Sequence, residues 1–476
     1  SHAWLPQENY KQNYLVEYCV TMGSAMTESV ISNLTCHCFT GCEYDAEKIG
    51  RLISSTGVLS CVHPGDRVFV KPNWVQERHL RRDEWVQMIT HPSVITAVID
   101  ILVENMAGSG TIIVGDSPMT PANFDEIVAL MPVEEWRRKC EEGGISFSLV
   151  DMRNERWNVS GDGIILSSVE LPGDPSGKTL YNVEGDLSEF FTKETSLGGY
   201  YGASYDIEET NRAHDGQTNL YEMGGSVMEA DIFVNLPKLK THKKAGMTCC
   251  LKNLVGVSTN KNLLPHHTVG APADGGDQFA ENGMARKAEG VLTARAKSIA
   301  NLARPIARVL VPLKWIAKKV WGDNRAVARN GSWFGNDTLW RTILDLNKIL
   351  LYGNLDGTLS RSVRMGYVAI VDGIVAGEGE GPLEPDPVDA GVLLCGGNPV
   401  IVDMVASRIM GFDFQKIPSL AHAFKVERLP LVSGLPGDVM CSMDGRNPVS
   451  FNHISPVRRF TPPSGWVGHV ELDSLD

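Results

Sequence analysis

Short apolar runs bounded by Pro, Gly and polar residues recur along the first half of the chain. Between them lie longer stretches whose apolar residues return every three to four positions. Val68-Phe69-Val70, Thr111-Ile112-Ile113-Val114, Ser146 to Val150 and Ile232-Phe233-Val234 read as strands, with the apolar character of a buried parallel sheet. The first stops at Lys71-Pro72-Asn73, the second at Gly115-Asp116-Ser117-Pro118 and the last at Pro237. His91-Pro92 opens a helix whose apolar face holds Val94, Ile95, Val98, Ile101 and Leu102. Further on, the pattern predicts a helix from Asp337 to about Leu351 and strands at Val368-Ala369-Ile370-Val371 and Gly391 to Leu394. A helix from Pro399 to Met410 follows, with proline in its first turn. Residues 153 to 225 are rich in Gly, Asp, Ser and Tyr and predict irregular β structure or loops covering a cleft. Strands alternating with helices are the signature of a parallel α/β sheet.

A chain of 476 residues is too long for one simple core. The expected fold class is α/β, with two α/β domains of largely parallel sheets around a cleft and a basic helical insertion. Residues 1–60 join the first domain, 61–257 form it, 258–332 are the insertion, and 333–476 are the second domain and tail. Within the insertion, from Arg286 to Arg329, eleven Lys or Arg residues face two acids, Glu289 and Asp323. Trp315, Trp321 and aliphatic residues recur among them at helical spacing, with Pro305 and Pro312 as kinks. Residues 291–321 therefore predict contact with a membrane surface; a lid, or the subunit interface of a homo-oligomer, is the other use of such a segment.

A hydrophobic share of 43% and a charged share of 21% describe an ordinary globular protein. A net charge of −13 argues against nucleic-acid binding, which needs a broad basic surface. Ten cysteines in this length do not make a disulfide framework, and reduced thiols in a cytoplasmic protein, with membrane association as a variant, are expected. Cys36-x-Cys38-x3-Cys42 matches neither zinc nor iron–sulfur spacing, yet it carries the alternative of a thiol or iron redox protein. The N-terminus lacks the pattern of a secretory signal, and no apolar run is long enough to span a bilayer.

Against the acidic total, the stretch from Asp231 to Gly256 is cationic: Lys238, Lys240, His242, Lys243 and Lys244, then Lys252 beside Asn253. Ligands of open α/β sheets bind beyond the carboxyl ends of the strands, so cations there predict a small anionic substrate. Lys71, Asn73, Asp116 and Ser117 fall at other strand ends and are expected on the same edge. Lys71, Lys238 and Lys240 would anchor the anion, with Asn73 and Asn253 adding hydrogen bonds. Asp116 would orient a base, bind a divalent cation or cap a helix. His91, His242, His266 and His267 are the histidines best placed to carry protons or bind a metal; His91 is equally read as a helix-start residue, and His266-His267 sit in a loop-like segment. Asn336, Asp337 and Arg341 form a polar patch that either faces the cleft or merely pairs along a helix. Neither a G-x-G-x-x-G fingerprint, a Walker A loop, a nucleophile elbow nor an H-E-x-x-H occurs.

The runs VFVKPNW, THPSVITAVIDIL, TIIVGDSP, ADIFVNLPKLKTH, LKNLVG, SWFGNDTLWRTILDLNK, AIVDGIVAGEGEGP and GNPVIVDMVASRIMG resemble the domain of unknown function 362 family from about residue 65 to 413. The ferredoxin-like cysteine run of some members is missing here. The order His91, His242, Lys252, His267 is more distantly similar to lactate racemase. That likeness implies an isomerase or lyase type of enzyme with a nickel-pincer nucleotide or another divalent metal. It assigns cofactor attachment to Lys252, metal ligation to His267 or His266, and proton transfer to His91 and His242.

Overall fold

The computed structural model describes residues 30–159, 165–193, 199–204, 206–281 and 330–473. In chain order the main elements are β1 (Thr35–Phe39), α1 (Ala46–Thr56), β2 (Arg67–Pro72), α2 (Pro92–Met106), β3 (Thr111–Asp116), α3 (Val133–Glu142) and β4 (Ser146–Asp151). They continue as β5 (Ile232–Leu236), β6 (Lys238–His242), β7 (Gly246–Thr248), α4 (Cys250–Asn253), α5 (Leu339–Tyr352), β8 (Gly366–Glu380), β9 (Glu384–Gly396), α6 (Pro399–Ile409), β10 (Met440–Met443) and β11 (Val449–Ser450).

One eleven-stranded sheet runs in the order β11-β10-β1-β9-β8-β5-β2-β3-β4, with β6 beside β8 and β7 hairpinned onto β6. Its β8-β5-β2-β3-β4 part is parallel throughout. Residues from both expected α/β segments share this sheet, since β8 pairs with β5. Both faces are covered, and the apolar runs split by period two. Val68 and Val70 pack with α1, α2 and α3 on one face, whereas Phe69 points to the core shared with α5 and α6. Ile113 and Phe233 repeat that alternation.

Local chemistry sets the helix starts. His91 caps α2 by accepting from the Ser93 N–H through Nδ1 at 3.2 Å, with Pro92 filling the first turn where no donor is needed. Asn398 does the same for α6. At α5, the Asn336 side chain accepts from the Thr338 and Leu339 N–H groups, and Asp337 pairs with Arg341 one turn on.

The strand predicted to stop at Pro237 resumes at once, and Lys238 to His242 form a buried strand. Asp372-Gly373 and the glycines to Gly379 lie inside a strand. They continue β8 through a register shift between Gly373 and Val375. Residues 153–225 give three short β pairings and a small helix, Ile207–Ala213. Residues 258–281 fold back onto the lysine-rich edge, whereas 291–321 lie outside the described residues.

Candidate functional site

Strand β2 lies between β5 and β3, so successive parallel strands leave it in opposite directions. The carboxyl edge at such a reversal is where open α/β sheets bind ligands. The register puts Lys71 beside Asn235 and brings the ends of β2, β3 and β5 together.

Lys71 is fully buried, and its Nζ lies 2.8 Å from Asp116 Oδ1 and 2.6 Å from the Pro72 carbonyl. Asp116 Oδ2 accepts the Trp74 N–H at 2.7 Å. Gly256 closes over this pair, and a Cβ there would sit 2.3 Å from Asp116 Oδ1 and 2.6 Å from Lys71 Nζ. Only glycine permits so close an approach.

Asn253 ties this edge together. Its Oδ1 accepts from Asn73 Nδ2 at 2.8 Å and Lys71 Nζ at 3.5 Å, and its Nδ2 donates to Asn235 Oδ1 at 2.7 Å. Helix α4, which carries Lys252 and Asn253, is anchored from α6. Both carboxylate oxygens of Asp403 accept its first amides, from Cys250 and Leu251, at 2.6 and 3.0 Å. Lys240 donates to Asn73 Oδ1 at 2.8 Å and to the Met88 carbonyl.

Cations outnumber acids around these groups. Among the described residues, Lys240, Lys252 and Lys261 have no carboxylate within ion-pair distance. Lys240 is fully buried, Lys261 is 8% exposed, and Lys252 is half-buried. Burial, reinforced by Lys238 and Lys252, drives Lys240 well below the usual lysine range. Burial with Lys71 beside it brings Lys252 down to about 8. Burial lowers Lys261 to about 7, with Asp116 opposing and Lys71 and Lys252 adding to the effect.

Two histidines share this field. His242 is held well below its ordinary value by burial and then by Lys252, His266 and Lys244. Its Nδ1 accepts the Lys244 and Ala245 N–H groups at 3.1 and 3.2 Å, which leaves its proton on Nε2. His266 is lowered by burial, Lys244 and Lys252, and its Nδ1 faces the Leu264 carbonyl at 2.9 Å. A carbonyl only accepts, so Nδ1 carries the proton and Nε2 keeps a lone pair. The two neutral rings thus differ in sense: His242 offers a donor and His266 an acceptor.

Other expected site residues lie elsewhere. Lys238 pairs with Asp372 at 2.8 Å, both fully buried, under the Tyr44 hydroxyl. His91 stacks on Tyr44 at 3.7 Å, and burial lowers it to about 4. His267 stacks on Tyr201 at 4.6 Å with Lys244 Nζ 3.4 Å from its Nδ1. Asn336, Asp337 and Arg341 form the start of α5, and Asn336 touches the site only by donating to the His266 carbonyl at 3.0 Å. Lys261 was missed by the sequence reading. Its signal was the repetition of Lys-Asn-Leu, at Lys252 and again at Lys261.

Among the described residues, one set of three donors lies close enough to hold a metal: Cys249, Cys250 and Asp403. Asp403 is engaged by two amides as the cap of α4, and burial raises the Cys249 thiol to about 12, so the set does not offer a metal free thiolate and carboxylate ligands. His266 and His267 join no such set, and Lys244, Lys252 and Lys261 press on His266, so these residues do not fit a bare divalent cation. Cys36, Cys38 and Cys42 do not form such a set among the described residues.

The depressed lysines make stability depend on pH. Unfolded lysines titrate near 10.5, folded Lys252 near 8 and Lys261 near 7. Between those values the unfolded chain binds more protons, so stability of the ligand-free protein rises as pH climbs from about 7 toward 10. The melting temperature of Lys261→Met is expected to rise less over that window than that of the unaltered chain. Equal slopes would remove Lys261 as a source.

A family model described as a domain of unknown function (DUF362) matches residues 68–176 and 201–408. A thylakoid-associated protein of Synechocystis sp. is 23% identical over 366 residues, which cover 77% of this chain and 69% of that protein. The structure of the lactate racemase apoprotein from Thermoanaerobacterium thermosaccharolyticum is 11% identical with a TM-score of 0.27, over 70% of this chain and 50% of that one. The chain thus spans half the length of that structure. None of the described helices is long and apolar enough to cross a membrane. With the family model matching most of its length, this chain belongs to the family described as domain of unknown function 362.

Proposed function

We propose that the chain is an enzyme that binds a small anionic or polyhydroxylated substrate at the carboxyl ends of β2 and β5 and acts on it by acid–base chemistry, of isomerase, epimerase or lyase type. The observation that carries this reading is the set of three lysines, Lys240, Lys252 and Lys261, without a carboxylate partner among the described residues. A buried charge without a partner is costly, so these amines give up protons readily in the ligand-free protein, and an anion entering among them favours their charged forms. Lys71, Asn73 and Asn253 shape the floor of the site. His266 takes up a proton through Nε2, and a bound anion makes it a better base by offsetting the lysines. His242, neutral and protonated at Nε2, polarises a carbonyl or hydroxyl as a hydrogen-bond donor. No step is assigned to a metal.

Calorimetry with inorganic phosphate and oxalate tests this reading. Binding of at least one anion is expected, weakened by on the order of ten- to a hundred-fold in Lys240→Gln and in Lys261→Gln. A protein that binds neither anion, or binds them equally well in both variants, would sink it. A second reading, a non-catalytic binder at an anionic membrane surface, draws on the thylakoid association of the curated relative and on the basic composition of residues 291–321. Binding to anionic vesicles together with indifference to both small anions would favour that one.

A further inference from the structure

The amino groups of the cluster are not equivalent. Lys71 is engaged by Asp116, the Pro72 carbonyl and Asn253. Lys240 is engaged by Asn73 and the Met88 carbonyl, and Lys261 by the Val255 carbonyl at 2.7 Å. Lys252 alone among these four makes no hydrogen bond or ion pair with the described residues, and it alone keeps appreciable exposure. An ammonium in that position has no protein acceptor among the described residues for its three protons and depends on water alone, whereas a neutral amine needs fewer partners. A desolvated lysine beside a second cation is a recognised way to present a free amine as a nucleophile near neutrality.

We infer that Lys252 is a nucleophilic amine that forms an imine with the carbonyl carbon of a small anionic aldehyde or ketone, so that the substrate class is an oxo acid or a phosphorylated carbonyl compound. The inference rests on the anion-binding reading and deepens it: Lys240 and Lys261 hold the anionic group while Lys252 attacks. The nitrogen lone pair forms the C–N bond and the carbonyl π electrons move to oxygen, giving a carbinolamine. That oxygen then leaves as water, with both its hydrogens drawn overall from the amine, and C=N remains. His242 Nε2–H is available to donate to the oxygen as charge develops there, and His266 Nε2 to take up a proton from nitrogen. An imine withdraws electrons from the adjacent carbon, the activation that proton transfer or C–C cleavage beside a carbonyl requires. At pH 7.5, with the amine near 8 rather than 10.5, the neutral fraction is on the order of a hundred-fold above that of a surface lysine.

The test is reductive trapping on the full chain with glyoxylate as the anionic aldehyde, acetaldehyde as the neutral control and cyanoborohydride as the hydride donor that reduces C=N to a secondary amine. Adducts are located by peptide mass mapping. The expected result is preferential modification of Lys252 by glyoxylate, at least ten-fold above any exposed lysine. Oxalate or phosphate, whichever binds, suppresses it, and acetaldehyde does not reproduce it. In Lys252→Arg the glyoxylate adduct disappears, whereas Lys48→Arg, on the exposed side of α1, keeps it. Adducts spread over surface lysines, or seated on Lys261 instead, would overturn the inference and leave the anion site standing. Absence of anion binding in the unmodified protein would overturn both.

Discussion

Replacing Asp116 by Ala is expected to destabilise the protein by about 3–5 kcal/mol, the usual cost of removing one partner from a buried ion pair. Lys71 and Asp116 are 0% and 3% exposed, so neither side chain has water to fall back on. The variant strands the Lys71 ammonium among Lys240, Lys252 and Lys261 and also orphans the Trp74 N–H. Chemical unfolding would read the loss, and the double variant Asp116→Ala, Lys71→Met should recover much of it by removing the stranded charge. A telling control is phosphate. Because Asp116 supplies negative charge to the lysine cluster, phosphate should restore more stability to the single variant than to the unaltered protein. A single variant within about 1 kcal/mol of the original would mean that Lys71 finds another partner.

Asp372→Ala should be comparably severe for a different reason. Asp372 is fully buried and accepts from Lys238 Nζ at 2.8 Å, the Tyr44 hydroxyl at 3.0 Å and the His91 N–H at 2.9 Å. Burial, followed by the Asp372 charge, pushes the Tyr44 phenol far up, so Tyr44 remains a donor and has no other use for its proton. Losing the carboxylate strands one cation and three neutral donors, the third being the Ile374 N–H at 3.3 Å, again on the order of 3–5 kcal/mol or more. The effect on anion binding should be small beside that on folding, because Lys238 is committed to this knot and not to the cluster of Lys240, Lys252 and Lys261. A large loss of phosphate affinity with stability intact would instead return Lys238 to the anion site, where the sequence placed it.

This difference between Lys238 and Lys240 illustrates what was legible in the chain. The two alternate with Leu239 on one strand and look equivalent in sequence. Their fates are separated by Asp372 and Asn73, which come from regions 134 and 167 residues away. The strand itself was hidden because Pro237 usually ends one, and because a Lys-x-Lys-Thr-His string has no apolar alternation to announce burial. Lys261 was passed over because it sits beyond the expected start of an insertion, yet its residues fold back onto the sheet edge and join the site. The histidines divide in the same way. His91 is a helix cap stacked on Tyr44, whereas His242 and His266 share the lysine field, and only their backbone partners reveal which nitrogen carries the proton.

Legible in the chain were the α/β class, the four apolar strands of the parallel core, the helices opened by His91-Pro92 and by Pro399, and the concentration of cations at the strand ends. These follow from local periodicity and capping, which are written in neighbouring residues. Tertiary structure alone decided that one sheet runs through both expected domains, that Lys71 and Lys238 are neutralised by Asp116 and Asp372, and that Lys240, Lys252 and Lys261 are not. Charge compensation in a buried site depends on which distant side chains come within about 3 Å, and no local pattern carries that distance.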